Sequence, residues 1–376
     1  MPWSPTVIGG VSTVVRNLAA QWQAVGQPCG VLVDDWSVRS PQLRSGEWHH
    51  RLAVLEGAGP LPAARQFRSM LAAGGPLLRF AALLRTLKCE AINFHYPGIL
   101  PLGVALLKRS GLWNGRLVIS FHGTDIPHAS DRDHWTWRLM LSQADSLTAV
   151  SNALARQLAE SMAIQQERIT VIHNGVDTNL FCPAVPLNPG PACDPVQRVI
   201  TSVGHYVGRK NHTRLIRAFA SLASEDRSLK LVIVGMRGPE LPALEALAKT
   251  LGLVDRVELL VDQSASAVAN LLRQSELVVQ PSIEEPFGLA VVEAAATGVP
   301  VAVSAVGGHL EIIRHGITGW TFDPLDEADI QRAMVEALSH PIESRARAAR
   351  LLCDVREQFS WQKCAAAYLS ELVPPG

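Results

Sequence analysis

The sequence predicts an α/β protein with two doubly wound domains, and three observations carry this prediction. The chain has 376 residues, more than twice the length of a typical single domain. Short apolar runs, which are typical of buried parallel strands, alternate with longer segments of helical periodicity along the whole chain. A segment with five prolines, 183–195, separates two such series and predicts a linker.

Each series supplies the strands of one domain. The first series is Val31–Asp34, Arg51–Leu55, Ala91–His95, Leu117–Phe121, Leu147–Val150 and Ile169–Ile172; the second is Val199–Val203, Leu231–Val234, Val257–Val261, Leu277–Gln280 and Val301–Ser304. We therefore place one domain at 1–182 and another at 196–350. We expect a C-terminal helix within 351–376 to return to the first domain.

The front of the chain departs from the usual pattern. The first amphipathic helix follows Gly9-Gly10, but the residues before it include Pro2 and Pro5 and cannot form a central strand. The strand that normally feeds such a turn is therefore missing, or it lies upstream of Met1. We expect a chain extended upstream to be more soluble and to melt at a higher temperature.

Composition excludes several classes of protein. Lys plus Arg and Asp plus Glu number 34 each, so no net charge recruits nucleic acid. Apolar stretches such as 91–107 contain prolines and glycines and are shorter than the roughly 20 residues of a membrane span. There is no secretory signal pattern, and the six cysteines form no Cys-x-x-Cys pair. We expect a cytoplasmic protein with free thiols.

The most informative segment is 280–298, QPSIEEPFGLAVVEAAATG, which lies between two predicted strands. Its helix begins at the carboxyl edge of a parallel sheet, where the ligands of such sheets bind. A helix N-terminus supplies unpaired amides and a positive dipole to a phosphate. We expect Phe287, Gly288 and Leu289 to offer these amides.

Two carboxylates flank the predicted phosphate site. Glu285 precedes the amides and Glu293 follows them, which places the two roughly 12 Å apart at about 1.5 Å per residue. Carboxylates accept hydrogen bonds from sugar hydroxyls, so one on each side of a diphosphate fits a nucleotide-sugar.

Together with other motifs, this segment resembles the retaining glycosyltransferases of family 4 (glycosyl transferases group 1). The motifs that occur in the family's order are Gly9-Gly10, His122-Gly123-Thr124-Asp125, Val150-Ser151, Asn174-Gly175-Val176-Asp177, Gly204 through Lys210, Glu285-Pro286-Phe287-Gly288, Glu293 and Gly307-Gly308. They extend over nearly the whole chain. The resemblance implies the GT-B fold, in which two Rossmann-like domains face a central cleft.

The resemblance also implies roles for residues of the second domain. Glu285 would bind hydroxyls of the donor sugar, Glu293 would bind the ribose hydroxyls, and Lys210 would pair with the diphosphate. The family usually has an arginine where this chain has His205. Arg209 would then compensate for the missing cation.

In the first domain the resemblance gives His122 contact with the donor sugar near the reacting carbon, and a histidine can donate a hydrogen bond in either protonation state. Asp125 could orient this ring or cap the next turn. Gly10, with Gly9, would let backbone amides approach a phosphate or the acceptor. His122, Glu285 and Lys210 are the catalytic candidates. No metal or other cofactor is expected, because no Asp-x-Asp pair has a setting suited to Mg²⁺.

A basic amphipathic stretch lies between Gly57 and Cys89. It has no acidic residue, and its five cations, Arg65, Arg68, Arg79, Arg85 and Lys88, alternate with apolar residues. Such a surface could rest on anionic lipid, or it could be an ordinary helix pair with a solvated charged face.

The sequence thus predicts a metal-independent hexosyltransferase that uses a nucleotide-sugar such as a UDP- or GDP-sugar. Its acceptor would be a saccharide or a lipid-linked molecule in bacterial polysaccharide, lipopolysaccharide or glycolipid synthesis, at the inner face of the plasma membrane. Two alternatives stay open: a non-catalytic nucleotide-sugar-binding subunit of a polysaccharide assembly complex, and a nucleotide-sugar epimerase. An epimerase needs acid/base residues on both sides of the sugar ring, and His122 alone has such a placement.

Overall fold

A computed structural model describes residues 2–7, 9–35, 37–38, 41–50, 75–131, 134–184 and 197–373. The chain forms two compact units, one made of Met1–His173 with Gln362–Gly376 and the other of Asn174–Trp361. The first unit thus ends before the boundary predicted at 182, and its C-terminal part begins at Gln362 rather than at 351. From 185 onward, the predicted linker 183–195 lies outside the described residues.

The first unit contains two sheets. Its strands are β1 (Val31–Asp34), β2 (Gln42–Arg44), β3 (Glu47–His50), β4 (Ala91–His95), β5 (Arg116–Phe121), β6 (Ser146–Ala149) and β7 (Ile169–Val171). β3 lies parallel to β1 and antiparallel to β2, whereas β4 to β7 form a parallel sheet in chain order. The predictions for β1 and for β4 to β7 are confirmed to within one residue at each end. β2 and β3 were not predicted, and Arg51–Leu55 lies outside the described residues.

The helices of this unit pack apolar faces against its sheets. They are α1 (Gly10–Ala24), α2 (Pro76–Thr86), α3 (Pro101–Arg109), α4 (Trp135–Gln143) and α5 (Asn152–Met162), with the helix Trp361–Leu372, α13 in chain order, at the C-terminal end. α1 begins at Gly10, one residue before the start predicted after Gly9-Gly10, and buries Val14, Val15 and Leu18. Residues 2–7 form turns and bends.

Only the last part of the basic stretch is described. In α2, Leu77 and Phe80 are buried, Arg79 is half-buried, and Arg85 and the following Lys88 are exposed. This helix therefore turns its apolar face inward, as an ordinary amphipathic helix does. Arg65 and Arg68 lie outside the described residues, and membrane contact stays a prediction.

The second unit contains one parallel sheet. Its strands are β8 (Arg198–Val203), β9 (Leu229–Gly235), β10 (Val257–Val261), β11 (Leu277–Gln280), β12 (Val301–Ser304) and β13 (Trp320–Phe322), in the order β10-β9-β8-β11-β12-β13. The strand order reverses between β8 and β11. The loops after these two strands therefore open side by side at the carboxyl edge, where doubly wound sheets bind ligands.

Helices cover both faces of this sheet. They are α6 (His212–Glu225), α7 (Leu241–Thr250), α8 (Ala265–Gln274), α9 (Leu289–Ala296), α10 (His309–Ile312), α11 (Glu327–Ser339) and α12 (Pro341–Gln358). Leu215 and Phe219 of α6 and Met334 of α11 pack in one apolar core with the sheet. Within the described ranges, the helices are all too short or too polar to cross a bilayer.

Candidate active site

The switch point of the second sheet carries a buried ion pair. Nζ of Lys210, in the short helix after β8, donates to Oε2 of Glu285 at 2.6 Å. The two side chains are only 15% and 11% exposed. Ser282 donates to the same carboxylate oxygen at 3.1 Å. Burial raises the pKa of Glu285, but the Lys210 charge and these hydrogen bonds outweigh it and hold the pKa well below its usual range. The structure thus joins two predicted catalytic residues.

Two glycines fix the backbone around Glu285. The amide of Gly308 donates to the carbonyl of Glu285 at 2.8 Å. A Cβ atom at Gly307 would lie 2.2 Å from that carbonyl oxygen, and one at Gly308 would lie 2.5 Å from Cα of Phe287. Gly307 also has a φ of +48°, in the left-handed region. Only residues without a side chain fit here, which explains the Gly-Gly motif.

His309 lies next to the ion pair, although the sequence pattern does not single it out. Its Nε2 is 3.7 Å from Oε2 of Glu285, and its Nδ1 lies within hydrogen-bonding distance of Ser304. The ring is 1% exposed, and burial lowers its pKa to about 4. The imidazole is therefore neutral near pH 7, and its Nε2 lies beside the Glu285 carboxylate without a hydrogen-bond partner among the described residues. Its position directly after Gly307-Gly308 was the sequence feature that could have identified His309 as a site residue.

Asn211 ties the two loops of the switch point together and was also missed. It adopts a left-handed conformation with φ of 58°, and its amide donates to the carbonyls of Pro281 and Pro324 at 3.0 and 2.8 Å. The amide of Ile283 donates to the carbonyl of Arg209 at 2.8 Å. These bonds fix the loop that carries Lys210 against the loop that carries Glu285.

His205 stands where the family usually has an arginine, and Arg209 was predicted to compensate for that cation. The two side chains differ in their contacts. The ring of His205 donates from Nε2 to the carbonyl of Arg237 at 2.9 Å, so it holds a neighbouring loop. The half-buried guanidinium of Arg209 makes no hydrogen bond or ion pair with any residue that the structure describes. Arg209 therefore keeps its donors available for an anion.

Helix α9 begins at Leu289, and Gly288 precedes it with a φ of +110°. Neither amide donates to another residue within the described ranges, as expected for the first turn of a helix. The Phe287 side chain is buried, and its ring packs edge-to-face with that of Phe359, with the ring centroids 5.7 Å apart. The N-terminus of α9 thus offers two amides beside Glu285.

Glu293 has a different environment from Glu285. It is half-buried on α9, and no residue in the described part of the chain forms a hydrogen bond or an ion pair with its carboxyl group. Burial raises its pKa to about 8. The carboxyl group is therefore neutral near pH 7 and can both donate to and accept from a ligand hydroxyl.

The first unit holds His122 at the carboxyl end of β5. The Asp125 carboxylate accepts from the amide of His122 at 2.9 and 3.0 Å and from that of Gly123 at 2.6 Å. Asp125 therefore caps the turn and does not orient the imidazole. Burial lowers the pKa of His122 to about 4. Gly10, the first residue of α1, is exposed and leaves its backbone open to approach.

Two family models match the chain, Glycosyltransferase Family 4 over residues 8–180 and Glycosyl transferases group 1 over residues 192–350. The chain is 32% identical over 241 residues to a D-inositol 3-phosphate glycosyltransferase of Mycolicibacterium smegmatis, a match that covers 61% of this chain and 53% of the relative. The chain thus spans about half the length of the curated relatives that it matches.

Solved structures with similar folds cover nearly the whole chain. A sucrose-phosphate synthase from Thermosynechococcus elongatus has a TM-score of 0.75 and 22% identity, with 97% of this chain and 94% of that one covered. The Anabaena HepE protein in complex with UDP-glucose has a TM-score of 0.71 and 17% identity, with 98% of each chain covered. The predicted GT-B fold is confirmed.

Proposed function

Because the chain belongs to the family 4, group 1 glycosyltransferases, we propose that it moves a sugar from a nucleoside diphosphate to an acceptor hydroxyl, with retention of the anomeric configuration. One observation carries this proposal: the charged cluster of Lys210, Arg209 and Glu285, with the amides of Gly288 and Leu289 beside it. The cluster offers two cations and a helix N-terminus to a diphosphate, and a carboxylate to sugar hydroxyls.

Donor binding would exchange the partners of the ion pair. A diphosphate competes with Glu285 for the Lys210 ammonium, and the amides of Gly288 and Leu289 donate to its oxygens. The carboxylate of Glu285, released from Lys210, then accepts hydrogen bonds from the sugar. Neither charge is left buried without a partner, because the ligand supplies one for each.

The reaction needs no side-chain nucleophile. The bond between the anomeric carbon and the diphosphate oxygen breaks, and the acceptor oxygen bonds to that carbon from the same face. The acceptor proton passes to a diphosphate oxygen. Lys210, Arg209 and the helix amides stabilise the charge that develops on the leaving diphosphate.

These cations would also make a metal unnecessary. We expect transfer to continue at the same rate in excess EDTA. Loss of activity in EDTA, with recovery on addition of Mg²⁺ or Mn²⁺, would contradict this part of the proposal.

A UDP-sugar is the first donor to test, because structural neighbours were solved with UDP and UDP-glucose. GDP-sugars are the second. A saccharide or lipid-linked hydroxyl is the proposed acceptor, and the D-inositol 3-phosphate in the name of a relative adds a phosphorylated polyol to the panel.

The experiment has two stages. A thermal-shift screen of nucleotides and nucleotide-sugars identifies the base, since a ligand at 100 times its Kd adds about 2.7 kcal/mol to stability. The donor that binds is then incubated with the acceptor panel, and NMR of the product reports the anomeric configuration. Binding without transfer or hydrolysis would favour the non-catalytic subunit, and an epimerised donor would favour the epimerase.

A further inference from the structure

A line of polar side chains crosses one face of the first unit's parallel sheet and ends at His122. Asn93 and His95 alternate on β4, Ser120 lies on β5 in register with His95, and Thr148 lies on β6 in register with Ser120. Strand alternation places these residues on the same face. We call the line from Thr148 through Ser120, Asn93 and His95 to His122 the histidine relay.

Each link of the histidine relay has hydrogen-bonding geometry. Thr148 Oγ1 donates to Ser120 Oγ at 2.8 Å, and Ser120 Oγ donates to Asn93 Oδ1 at 2.7 Å. Asn93 Nδ2 lies 3.0 Å from Nε2 of His95, and Nδ1 of His95 lies 2.9 Å from Nε2 of His122. Ser120 and Thr148 are fully buried, and His95 is 6% exposed.

The chemistry of the side chains determines which atom donates in each hydrogen bond of the histidine relay. The amide nitrogen of Asn93 can only donate, so Nε2 of His95 accepts. Burial and the neighbouring His122 hold the pKa of His95 well below its ordinary value, so the ring is neutral and carries its single proton on Nδ1. That proton is donated to Nε2 of His122, and the neutral His122 ring then carries its own proton on Nδ1.

Two features leave this proton available to a ligand. The Asp125 carboxylate is occupied by the amides of His122 and Gly123, so it does not select the tautomer. Among the residues that the structure describes, none accepts a hydrogen bond from Nδ1 of His122. His122 is partly exposed, whereas His95, Ser120 and Thr148 are buried.

We propose that Asn93 and His95 are positioning residues that hold His122 in the Nδ1–H tautomer, so that His122 acts on the donor sugar as a hydrogen-bond donor and not as a base. This inference rests on the proposed transferase function, because it assumes that His122 contacts the sugar. It predicts that an oxygen of the sugar accepts from Nδ1. Tyr368 of α13 packs against His95, with the two ring centroids 5.3 Å apart.

The tautomer can be measured without any activity. In protein labelled with ¹⁵N-histidine, long-range ¹H–¹⁵N NMR distinguishes a protonated ring nitrogen from a bare one, and the His122→Ala spectrum assigns the signal. At neutral pH we expect Nδ1 of His122 to be protonated and Nε2 bare. A protonated Nε2, which a rotated Asn93 amide would produce, would overturn the inference.

A matched pair of variants tests whether the hydrogen bond from residue 95 to His122 contributes to sugar transfer. In His95→Asn the side-chain amide can still donate to Nε2 of His122, whereas in His95→Leu it cannot. We expect His95→Asn to keep kcat within about threefold of wild type and His95→Leu to lose about tenfold, the effect of one hydrogen bond of roughly 1.4 kcal/mol. Equal kcat values in the two variants would contradict the role, as would a loss confined to nucleotide affinity.

Two further measurements distinguish an effect of these variants on folding from an effect on transfer. Thermal melting shows whether either variant is unfolded. If one is, Ser120→Ala takes its place, because it removes the hydrogen bonds of Ser120 with Asn93 and Thr148 and leaves both histidines unchanged. We expect Ser120→Ala to yield a mixture of His122 tautomers. If the wild-type protein transfers no sugar at all, the proposed function fails, while the NMR result still decides the tautomer.

Discussion

The charged cluster of the second unit and the histidine relay of the first unit differ in how their polar side chains are compensated for the loss of contact with water. Both contain polar side chains that are largely shielded from solvent, and each reaches the carboxyl edge of a parallel sheet. Lys210 and Glu285 compensate each other by opposite charge at 2.6 Å. The histidine relay carries no net charge and is satisfied by hydrogen bonds of fixed direction from Thr148 to His122.

This difference indicates what each region can do. An ion pair opens readily to a charged ligand, since the ligand supplies a new partner for each charge. A neutral line of hydrogen bonds cannot exchange partners in this way, but it sets which atom of its last member carries a proton. We therefore expect charge to govern donor binding in the second unit and proton position to govern His122.

The strongest test of this comparison removes the cation. Lys210→Met keeps the apolar stem but leaves Glu285 buried without its ion-pair partner, and a diphosphate loses a cation. We expect transfer to fall by on the order of 10³, as when a donor that stabilises the transition state is removed. Steady-state transfer kinetics with the identified donor would measure this.

Lys230→Met is the matched control, because Lys230 also forms an ion pair, with Glu258 at 2.7 Å, but the Glu258 side chain is 44% exposed. We expect nearly wild-type activity, since exposed pairs contribute only about 0 to 1 kcal/mol. Similar losses in the two variants would show that Lys210 acts through folding.

Glu285 and Glu293 allow a second comparison, between two carboxyl groups of the second unit that are assigned to different parts of the donor. Glu285→Gln should lower kcat by about 10² without weakening nucleotide binding, because Glu285 is assigned to the sugar and competes with the diphosphate for Lys210. Glu293→Gln should do the reverse, because Glu293 is assigned to the ribose. Parallel kinetics and calorimetric titration with the free nucleotide distinguish these outcomes. Wild-type values in both variants would remove both assignments.

The smallest effect concerns stability. The folded pKa of Glu293 is about 8, above its unfolded value, so the unfolded state releases the proton first and the free energy of unfolding falls as pH rises from about 4.5 to 8. Glu293→Gln should remove this loss and stabilise the protein at pH 8 by about 2 kcal/mol, after allowance for partial exposure. At pH 4 the two proteins should melt alike.

Melting curves at the two pH values test this expectation. The exposed Glu245, on α7, provides the control, and Glu245→Gln should change the melting temperature at neither pH. A Glu293→Gln variant no more stable than wild type at pH 8 would show that this carboxyl group is already ionised in the folded protein.

The sequence predicted most strands because many buried parallel strands contain an uninterrupted apolar run, as Leu231–Val234 does within β9. β13 was missed because it is only three residues long, with a polar residue between two aromatic ones. Polar β2 was missed for a similar reason. Residues within the motif segments, such as Glu285 and Lys210, could be named in advance.

Contacts between distant segments could not be predicted. The ion pair joins residues 75 positions apart, and Asn211 bonds to Pro324 across 113 positions. The role of Asp125 depended on backbone geometry that no spacing specifies. The histidine relay left a visible signal, since Asn93, Ser120 and Thr148 interrupt apolar strands on one face, but only the fold shows that they touch.

The return of α13 to the first unit has a consequence for how the protein is made. Trp22 donates to the carbonyl of Ala365 at 3.0 Å, Arg116 donates to that of Glu371 at 2.9 Å, and Tyr368 is fully buried. The whole of Asn174–Trp361 leaves the ribosome in between, a delay of roughly 10 to 40 s at about 5–20 residues per second. The unit that begins first is thus completed last, and a nascent chain acquires the complete second unit before the unit that holds His122.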